Sequence, residues 1–315
     1  MNILVTGCAG FIGSNLVDQL LLEGFQVVGV DNFNNYYDPR IKRENVAKAL
    51  ASRKFKCYEV NILDFPRLTN IFKNEGIDKV IHLAARAGVR PSIEDPFLYS
   101  EVNVLGTVNL LKLSTEYKVR QFIFGSSSSV YGESKKLPFG EDDNCQEVAS
   151  PYGASKRAAE FFVESFHHSF GLPSVILRFF TVYGERGRPD MAPALFTSAI
   201  VEGKKIVQFG DGSTSRDYTY VGDIVRGIIL TLNHDFEFEV INLGNSSPVK
   251  LSDFISILEN TFGKVAKIET RTKQSGDVDK TWANIARANR LLGWQPQVDL
   301  AHGIRRYFEW LQKSK

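Results

Sequence analysis

The sequence has few sulfur-containing residues and little tryptophan: 3 cysteines, 2 methionines and 3 tryptophans in 315 residues. Cys8, Cys57 and Cys145 are odd in number and lie at unrelated spacings, without the CxxC pairs of metal sites and disulfide frameworks. This pattern excludes a disulfide-stabilised scaffold. A reducing cytosol is the simplest explanation of such cysteine usage, so we expect a cytoplasmic protein. The 5 histidines also lack ligand spacing, and we expect no bound metal.

Long apolar runs and a surplus of one charge sign are also missing. No run approaches the roughly 18 apolar residues of a membrane helix, and the N-terminus lacks a basic segment followed by a long apolar one. Lysine and arginine total 38 against 36 aspartates and glutamates, a net charge of +2 that offers no basic surface to nucleic acid or anionic membranes. We expect neither partner. Hydrophobic residues at 43% and charged residues at 23% are typical of folded globular proteins.

Short apolar segments alternate with helical patterns along the first half of the chain. Segments rich in β-branched residues, as buried parallel strands are, occupy 3–6, 26–30, 79–83, 121–125 and 174–180. Between them, the apolar residues of 12–23 and 102–117 recur at the spacing of an amphipathic helix. This alternation predicts an α/β fold built on a doubly wound parallel sheet.

After about residue 180 the alternation gives way to stretches with Gly, Pro and Arg, such as 183–190 and 209–215, which predict binding loops. A helical pattern returns at 221–232 and a strand pattern at 240–243. We therefore predict two domains, the second of them smaller and discontinuous: residues 1–180 with 219–245 returning to them, and residues 181–218 with 246–315.

A glycine-rich turn follows the first predicted strand and opens the first predicted helix. Gly7, Gly10 and Gly13 stand where a backbone must turn tightly and approach a pyrophosphate at a helix N-terminus. The glycines alone are also compatible with an ordinary strand-to-helix turn. Asp31 ends the second predicted strand, where a carboxylate accepts hydrogen bonds from the adenosine ribose of NAD and repels the 2′-phosphate of NADP. The combination predicts dinucleotide binding with NAD preferred.

Tyr152 and Lys156 lie four residues apart at the start of a predicted helix, so both side chains share one face. The ammonium, together with a positive nicotinamide, would lower the phenol pKa from its usual ~10 and make Tyr152 a usable general base. Tyr131 and Lys135 repeat the spacing, but Gly132 and a nearby proline indicate a turn there. We therefore prefer the pair at the helix start.

Four hydroxyls, Ser126, Ser127, Ser128 and Ser129, follow another predicted strand at its carboxyl end. Ligands of α/β sheets bind at that end of the strands. Such a run is also common in plain turns. Beside a nucleotide-binding motif and a Tyr/Lys pair, the run favours a ligand-binding role.

These motifs, in this order, resemble the extended short-chain dehydrogenase/reductase family, and in particular its nucleotide-sugar 4-epimerases. The resemblance spans essentially the whole chain. The runs 31–37, 87–91 and 178–191 look most like UDP-glucuronic acid 4-epimerases. The resemblance implies a Rossmann-type NAD-binding domain, a smaller UDP-sugar-binding domain, NAD as cofactor and a UDP-sugar as substrate.

The resemblance also implies roles for individual residues. It implies catalytic roles for Tyr152, Lys156 and Ser127. The implied cofactor contacts, besides Tyr152 and Lys156, are Gly7, Gly10, Phe11, Ile12, Gly13, Asp31, Asn32, Asn61, Ile62, Leu83, Ala84, Ala85, Asn103 and Ser126. The implied substrate contacts, besides Ser127 and Tyr152, are Arg90, Ser128, Ser129, Thr181, Arg188, Phe209, Arg216 and Asp277.

Three positions depart from patterns common in related enzymes. Asn61 replaces an Asp that often binds the adenine amine, and Gln274 stands where many galactose epimerases have a second arginine for phosphate. Thr181 replaces an Asn common in galactose epimerases. With Ser128 and Ser129, and with Arg188 nearby, Thr181 is expected to recognise a carboxylate at C6 of the sugar.

The resemblance therefore implies reversible C4 epimerisation of a UDP-hexose, with UDP-glucuronate to UDP-galacturonate favoured. UDP-glucose or UDP-N-acetylglucosamine 4-epimerisation and UDP-glucuronate decarboxylation remain alternatives. Dehydratases and decarboxylases carry an acidic residue in the turn where this chain has Ser128 and Ser129, and hydroxyls cannot perform that proton transfer. A non-catalytic NAD-sensing scaffold is a further alternative, against which Tyr152 and Lys156 argue.

Assembly is expected to involve two apolar helices. The segments 102–117 and 152–170 carry more apolar residues than one sheet face requires. Phe161, Phe162 and Phe166 recur in the second segment at a spacing that favours core or subunit packing over a ligand site. The resemblance implies that these helices form an intersubunit four-helix bundle, and hence a two-fold homodimer.

Overall fold

The protein is described by a computed structural model that covers residues 1–272 and 278–313. The strands in this part of the chain are β1 (Asn2–Thr6), β2 (Gln26–Asp31), β3 (Phe55–Glu59), β4 (Lys79–His82), β5 (Gln121–Ser127), β6 (Ser174–Phe179), β7 (Thr181–Tyr183), β8 (Lys205–Phe209), β9 (Ser215–Tyr220), β10 (Phe238–Leu243), β11 (Pro248–Lys250) and β12 (Lys267–Arg271). The helices are α1 (Phe11–Leu22), α2 (Pro39–Leu50), α3 (Phe65–Glu75), α4 (Val89–Glu94), α5 (Pro96–Ser100), α6 (Gly106–Glu116), α7 (Pro151–Phe170), α8 (Ala192–Glu202), α9 (Val221–Leu232), α10 (Leu251–Phe262), α11 (Ala286–Leu292) and α12 (Leu300–Lys313).

A seven-stranded sheet in the order β10-β6-β5-β4-β1-β2-β3 forms the centre of the fold. Every neighbouring pair in it is parallel. This confirms the predicted doubly wound α/β fold. The strand order reverses between β1 and β4, which leaves a crevice at the carboxyl ends of these two strands, where Thr6 lies opposite His82.

Apolar side chains cover both faces of this sheet, which explains why the sequences of its inner strands are continuous apolar runs. Along β1, Ile3 and Val5 pack into one buried cluster and Leu4 into another on the opposite face. The strand β3 lies at the sheet edge and has only one buried residue, Phe55. For that reason its sequence carries no apolar run, and the pattern analysis missed it.

The chain leaves the central sheet after β6 and later returns to it. The strand β10 pairs with β6 in parallel, with Val240 opposite Ile176. The segments before and after this return contribute a three-stranded sheet, β11-β9-β7, and a two-stranded sheet, β12-β8. Among the residues that the structure describes, no helix combines the length and the apolar character that crossing a bilayer requires.

A buried ion pair joins α7 to β6 behind the carboxyl end of β5. Arg178 donates from Nε and Nη2 to the two carboxylate oxygens of Glu160, at 2.9 and 2.8 Å. Both residues are almost fully buried, with exposures of 2% and 1%. Ser126 donates to Glu160 at 2.5 Å, and Arg178 also donates to the hydroxyl of Tyr131 at 3.0 Å. The pair therefore fixes two neighbouring segments, the end of β5 and the turn that follows it.

We expect Glu160→Ala to lower the free energy of unfolding by about 3–5 kcal/mol, because it leaves the Arg178 charge buried without its partner. Chemical unfolding followed by circular dichroism measures this change. The matched control is Glu116→Ala, which breaks an exposed pair with Lys112 on α6 and should cost about 0.5 kcal/mol or less. Equal losses in the two variants would show that the buried pair does not stabilise the fold.

Candidate active site

A large cavity of about 950 Å³ lies along the carboxyl ends of the central strands and extends to β8 and β9. Its volume is at the upper end of the range for small-molecule and cofactor sites. Of the residues predicted to act in catalysis or binding that the structure describes, all except Asn103 line it. Positions as distant in the sequence as Gly7 and Arg216 therefore face one space.

The glycine turn at one end of the cavity is closely packed. Gly7 adopts a positive φ of +70°, and a Cβ on it would lie 2.8 Å from the Ala84 nitrogen. A Cβ on Gly13 would lie 2.0 Å from the Gly7 carbonyl oxygen. The helix α1 begins directly after this turn, and no side chain caps its N-terminus. The free amide groups and positive helix end suit a pyrophosphate.

Asp31 ends β2 beside the glycine turn. Its carboxylate accepts hydrogen bonds from the Phe33 nitrogen at 2.8 Å and the Ala9 nitrogen at 3.2 Å. Burial raises the pKa of Asp31, while these backbone donors and the charge of Lys42 act in the opposite direction. The carboxylate is thus held rigidly at the edge of the cavity, where it can accept from a ribose.

Tyr152 and Lys156 lie in the first turns of α7 and both line the cavity. The N-cap Ser150 accepts a hydrogen bond from the Gly153 nitrogen at 3.1 Å, which fixes the helix start. Lys156 donates from Nζ to the Gly125 carbonyl oxygen at 2.7 Å and lies over the Phe124 ring at 4.7 Å. Burial lowers the pKa of Lys156 to about 7.

The pKa of Tyr152 differs in direction from the sequence-based expectation. Burial raises it, whereas the neighbouring hydroxyl of Ser127 and the charge of Arg188 act to lower it. The expectation assigned the lowering to Lys156 together with a positive nicotinamide. The ammonium of that lysine is bound to the Gly125 carbonyl and is itself buried. Desolvation, which a sequence does not display, accounts for the reversal.

The four consecutive serines have two different roles: one supports the turn, and the other three form part of the cavity wall. Ser126 is buried, and its hydroxyl is bound to Glu160, so this side chain supports the turn from behind. Ser127 donates to the Ser129 hydroxyl at 3.2 Å and accepts from the Ser129 nitrogen at 3.2 Å. Ser127, Ser128 and Ser129 therefore form a compact hydroxyl-rich wall of the cavity, and Thr181 of β7 lines it as well.

Asn103 is the predicted cofactor contact that does not line the cavity. Its amide donates to the Arg86 carbonyl and to the Ser155 hydroxyl, both at 2.9 Å, and accepts from the Arg86 nitrogen at 2.7 Å. These bonds use its hydrogen-bonding groups to tie the loop after β4 to α7. Asn103 thus shapes the cavity from outside it. Asp277 and Gln274 lie outside the described residues.

The far end of the cavity carries arginines and an aromatic ring. The guanidinium of Arg90 lies 4.2 Å over the Phe209 ring, which joins α4 to the end of β8. Arg216 donates to its neighbour's carbonyl, that of Ser215, at 3.0 Å. The next residue, Asp217, is fully buried, and burial raises its pKa to about 6. Its carboxylate accepts from three backbone nitrogens, those of Asn245, Ser246 and Ala283.

Sequence reasoning missed several residues that line the cavity, among them Tyr36, Lys42, Arg86 and Asp190. Tyr36 belongs to the run 31–37, whose resemblance to the family was noticed without a role for this side chain. Asp190 likewise belongs to the run 178–191, whose resemblance to the family was noticed without a role for this side chain. Within residues 1–272 and 278–313, no group of three or more His, Cys, Asp or Glu side chains is arranged to hold a metal ion.

Comparison with known proteins agrees with this arrangement. The chain matches the family model described as GDP-mannose 4,6 dehydratase over residues 4–307. It is 43% identical to the UDP-glucuronate 4-epimerase of Thermodesulfobacterium geofontis over 312 residues, which cover 99% of this chain and 96% of that protein.

Two solved structures are similar over nearly their whole length. The UDP-glucuronic acid 4-epimerase of Bacillus cereus, crystallised with UDP-glucuronic acid and NAD, has a TM-score of 0.95 and 37% identity, covering 100% of both chains. The UDP-glucose 4-epimerase of Thermotoga maritima, crystallised with UDP-glucose, has a TM-score of 0.93 and 34% identity, covering 100% of this chain and 99% of that one. The resemblance inferred from the motifs is confirmed, and the chain belongs to the GDP-mannose 4,6-dehydratase family, together with the UDP-glucuronate 4-epimerases that it matches from end to end.

Proposed function

We propose that the protein is an NAD-dependent UDP-glucuronate 4-epimerase. The observation that carries this proposal is the single cavity in which a glycine turn at one end and arginines at the other flank Tyr152, Ser127 and Lys156. That arrangement suits one dinucleotide and one nucleotide-sugar meeting at a phenol. The relatives at 43% and 37% identity, both UDP-glucuronate 4-epimerases, support the same activity.

The residues at the sheet edge fit NAD. Gly7 and Gly13 leave no room for a Cβ and so allow the backbone to approach a pyrophosphate, which the open N-terminus of α1 would face. Asp31 offers acceptors to the ribose. Bound NAD would supply a hydride acceptor for C4 and would return the hydride to the opposite face of the sugar, which inverts that carbon without net oxidation.

The chain's own residues handle the proton at the sugar 4-hydroxyl. Tyr152 acts as the general base for that hydroxyl and later as the acid that returns its proton. Ser127, beside Tyr152, holds the same oxygen. Lys156, anchored on the Gly125 carbonyl, orients the bound ligands next to the phenol. Arg90, Phe209 and Arg216 line the end of the cavity suited to the UDP group, where guanidinium groups bind phosphate oxygens.

The hydroxyl wall formed by Ser127, Ser128 and Ser129 favours epimerisation over dehydration, which is the reaction that the description of the family model names. Removing water from C5 and C6 requires an acid and a base beside those carbons. Ser128 and Ser129 occupy the turn, and a serine hydroxyl cannot serve as either at neutral pH. With Thr181 they offer hydrogen bonds to a carboxylate, which matches a uronic acid substrate.

The domain division follows from the same assignment. Residues 1–180 with 219–245 carry the glycine turn, Asp31 and Tyr152, and form the NAD-binding domain in this proposal. Residues 181–218 with 246–315 carry Phe209 and Arg216 and form the UDP-sugar-binding domain. The cysteines of the chain are free thiols, which supports a location in the reducing cytoplasm.

A homodimer is also part of the proposal. Large apolar side chains remain exposed on α7 and on the π-helical segment Glu101–Leu105 before α6, with Leu105 at 52%, Phe161 at 54% and Phe170 at 61% exposure. Apolar surface of this kind marks interaction sites when it is contiguous. An isologous contact between these helices and those of a second copy would cover it. Sedimentation over a concentration series tests the assembly.

The activity itself is tested by giving the purified protein UDP-glucuronate without added NAD. We expect UDP-galacturonate to form, because the cofactor is regenerated in each turnover. Tyr152→Phe removes the base and should lower kcat by about 10²-fold or more while NAD remains bound. Chromatography of the reaction products measures both the formation of UDP-galacturonate and the loss of kcat in the variant. Formation of no product by the wild-type protein would instead favour a non-catalytic NAD-sensing role.

Cofactor choice is tested by calorimetric titration of the apoprotein with NAD and NADP. We expect NADP to bind at least tenfold more weakly, about 1.4 kcal/mol, because its 2′-phosphate would meet the buried Asp31 carboxylate. Asp31→Asn should reduce this preference. Asp64→Asn, at the N-cap of α3, is the matched control and should keep the preference for NAD. Equal affinities in the wild-type protein would contradict the assignment of Asp31.

The carboxylate pocket is tested with the double variant Ser128→Ala/Ser129→Ala and with Thr181→Ala. Each lost hydrogen bond to a charged group costs about 1.5–3 kcal/mol, so KM for UDP-glucuronate should rise at least tenfold, about 1.4 kcal/mol, with little change for UDP-glucose. Oxidation at C4 makes a β-keto acid, and a freed carboxylate should also be lost as CO₂, giving a 4-keto-pentose. Thr181→Ser keeps the hydroxyl and serves as the control. Faster wild-type turnover of UDP-glucose than of UDP-glucuronate would overturn the pocket.

A further inference from the structure

The loop after β7, residues 184–191, reaches the cavity from a firmly held base. Gly184 has a φ of +134°, and a Cβ there would lie 2.7 Å from Val221. Arg186, with a φ of +61°, donates to Asp18 of α1 at 2.7 Å. Tyr220 donates to the Glu185 carboxylate at 2.7 and 2.8 Å. These contacts fix the direction in which the chain enters the cavity.

Arg188, the next charged residue of the loop, is clamped by a carboxylate. Asp190 accepts from its Nε at 3.0 Å and from its Nη2 at 2.5 Å, a two-bond arrangement that fixes the plane of the guanidinium. Nη2 also lies 3.2 Å from the Tyr36 hydroxyl and 3.4 Å from the Ala87 carbonyl oxygen. The guanidinium lies 5.1 Å over the Tyr36 ring.

Tyr36 connects this clamp to the central sheet. Its hydroxyl donates to the Ala87 carbonyl at 2.7 Å and lies 3.2 Å from Asp190. The Ala87 carbonyl accepts a further hydrogen bond from Tyr99 at 2.9 Å. The Tyr99 ring in turn meets the Tyr152 ring edge-on, with centroids 6.2 Å apart. A continuous set of contacts therefore runs from Asp190 to Tyr152.

We propose that Asp190 and Tyr36 are positioning residues: they hold the Arg188 guanidinium against the Ala87 carbonyl, where its charge stabilises the ionised form of Tyr152. The proposal rests on the proposed function for the use of Tyr152 as the base. Neither residue touches the reacting atoms in this account. Both act through Arg188.

The charged and titratable groups facing Tyr152 show why a second cation matters. Lys156 shares its helix, Ser127 follows from β5, Tyr99 comes from α5 and Arg188 from the loop after β7. On α4, the Ser92 hydroxyl accepts a hydrogen bond from the Tyr152 backbone nitrogen at 3.0 Å, and the Arg90 guanidinium lies over the Phe209 ring.

Among these groups, only Lys156 and Arg188 can place a positive charge near the phenol. Burial lowers the pKa of Lys156 to about 7, which makes the charge of this side chain sensitive to pH near neutrality. A guanidinium stays ionised throughout the working range. Arg188 is therefore the cation that persists, and its charge acts to lower the pKa of Tyr152.

The ionisation of Tyr152 can be followed without turnover. We suggest NMR titration of holoenzyme carrying tyrosine labelled with carbon-13 at Cζ, with the Tyr152 signal identified by its loss in Tyr152→Phe. The variants are Arg188→Gln, which removes the charge, Asp190→Asn, which removes the clamp, and Tyr36→Phe, which keeps the ring and removes the hydroxyl. Asp38→Asn is the matched control, because Asp38 forms a similar two-bond pair with Arg40 at the exposed start of α2.

We expect the Tyr152 midpoint to rise by roughly one pH unit in Arg188→Gln and Asp190→Asn, to rise less in Tyr36→Phe, and to stay unchanged in Asp38→Asn. The alkaline shift should appear equally in the pH profile of kcat for UDP-glucuronate. If the clamp only secured the loop, thermal stability and KM would change while the midpoint stayed constant, and the proposal would be wrong.

A lowered midpoint in Asp190→Asn would also overturn it, since Arg188 would then keep its place without the clamp. If Asp190→Asn does not fold, Tyr36→Phe and Arg188→Gln decide the question alone. The two proposals fail separately: a wild-type protein that converts no UDP-sugar contradicts the proposed function, whereas the NMR midpoint tests the clamp in either case.

Discussion

The buried ion pair between Arg178 and Glu160 is the interaction on which the arrangement of the site depends. It joins β6 to α7 and reaches the end of β5 through Ser126 and the following turn through Tyr131. Burying two charges is costly, and only close pairing with further hydrogen bonds offsets that cost. This pair has both. As a result, the turn that carries Ser127 and the helix that carries Tyr152 are held in one fixed relation.

Two kinds of structure line the cavity: the strand ends of the central sheet, and the later segments that carry the smaller sheets. Strand ends and a helix N-terminus in the central sheet present backbone groups and Asp31, which suit a cofactor with a pyrophosphate and two riboses. The later segments present Phe209 on β8 and Arg216 on β9, and the buried Asp217 ties β9 to the backbone near 245 and 283. In the proposed function, the geometry of the central sheet would set the position of the cofactor, and side chains on the smaller sheets would contact the substrate.

One short turn carries much of the difference between reactions in this family. The fold, the glycine turn and the Tyr/Lys pair suit any member that begins by oxidising a sugar at C4. Hydroxyls at 128 and 129 add hydrogen bonds without adding a proton donor or acceptor for C5 and C6. In the proposed role of Asp190, its pairing with Arg188 fixes the guanidinium near Tyr152, on a loop that contacts α1 and β9.

The sequence by itself determined the features that depend on neighbouring residues. The strand-turn-helix of Gly7 to Gly13, the acidic end of β2 at Asp31, and the shared face of Tyr152 and Lys156 all follow from local spacing and backbone sterics. The alternation of apolar strands and helices determined the parallel sheet for the same reason. Only the tertiary structure decided how far burial shifts the pKa of Tyr152, that Asn103 serves the loop after β4, and that Tyr36 meets Arg188 and Asp190 across some 150 positions. Desolvation and contacts between distant segments exist only once the chain has packed, and no local pattern encodes them.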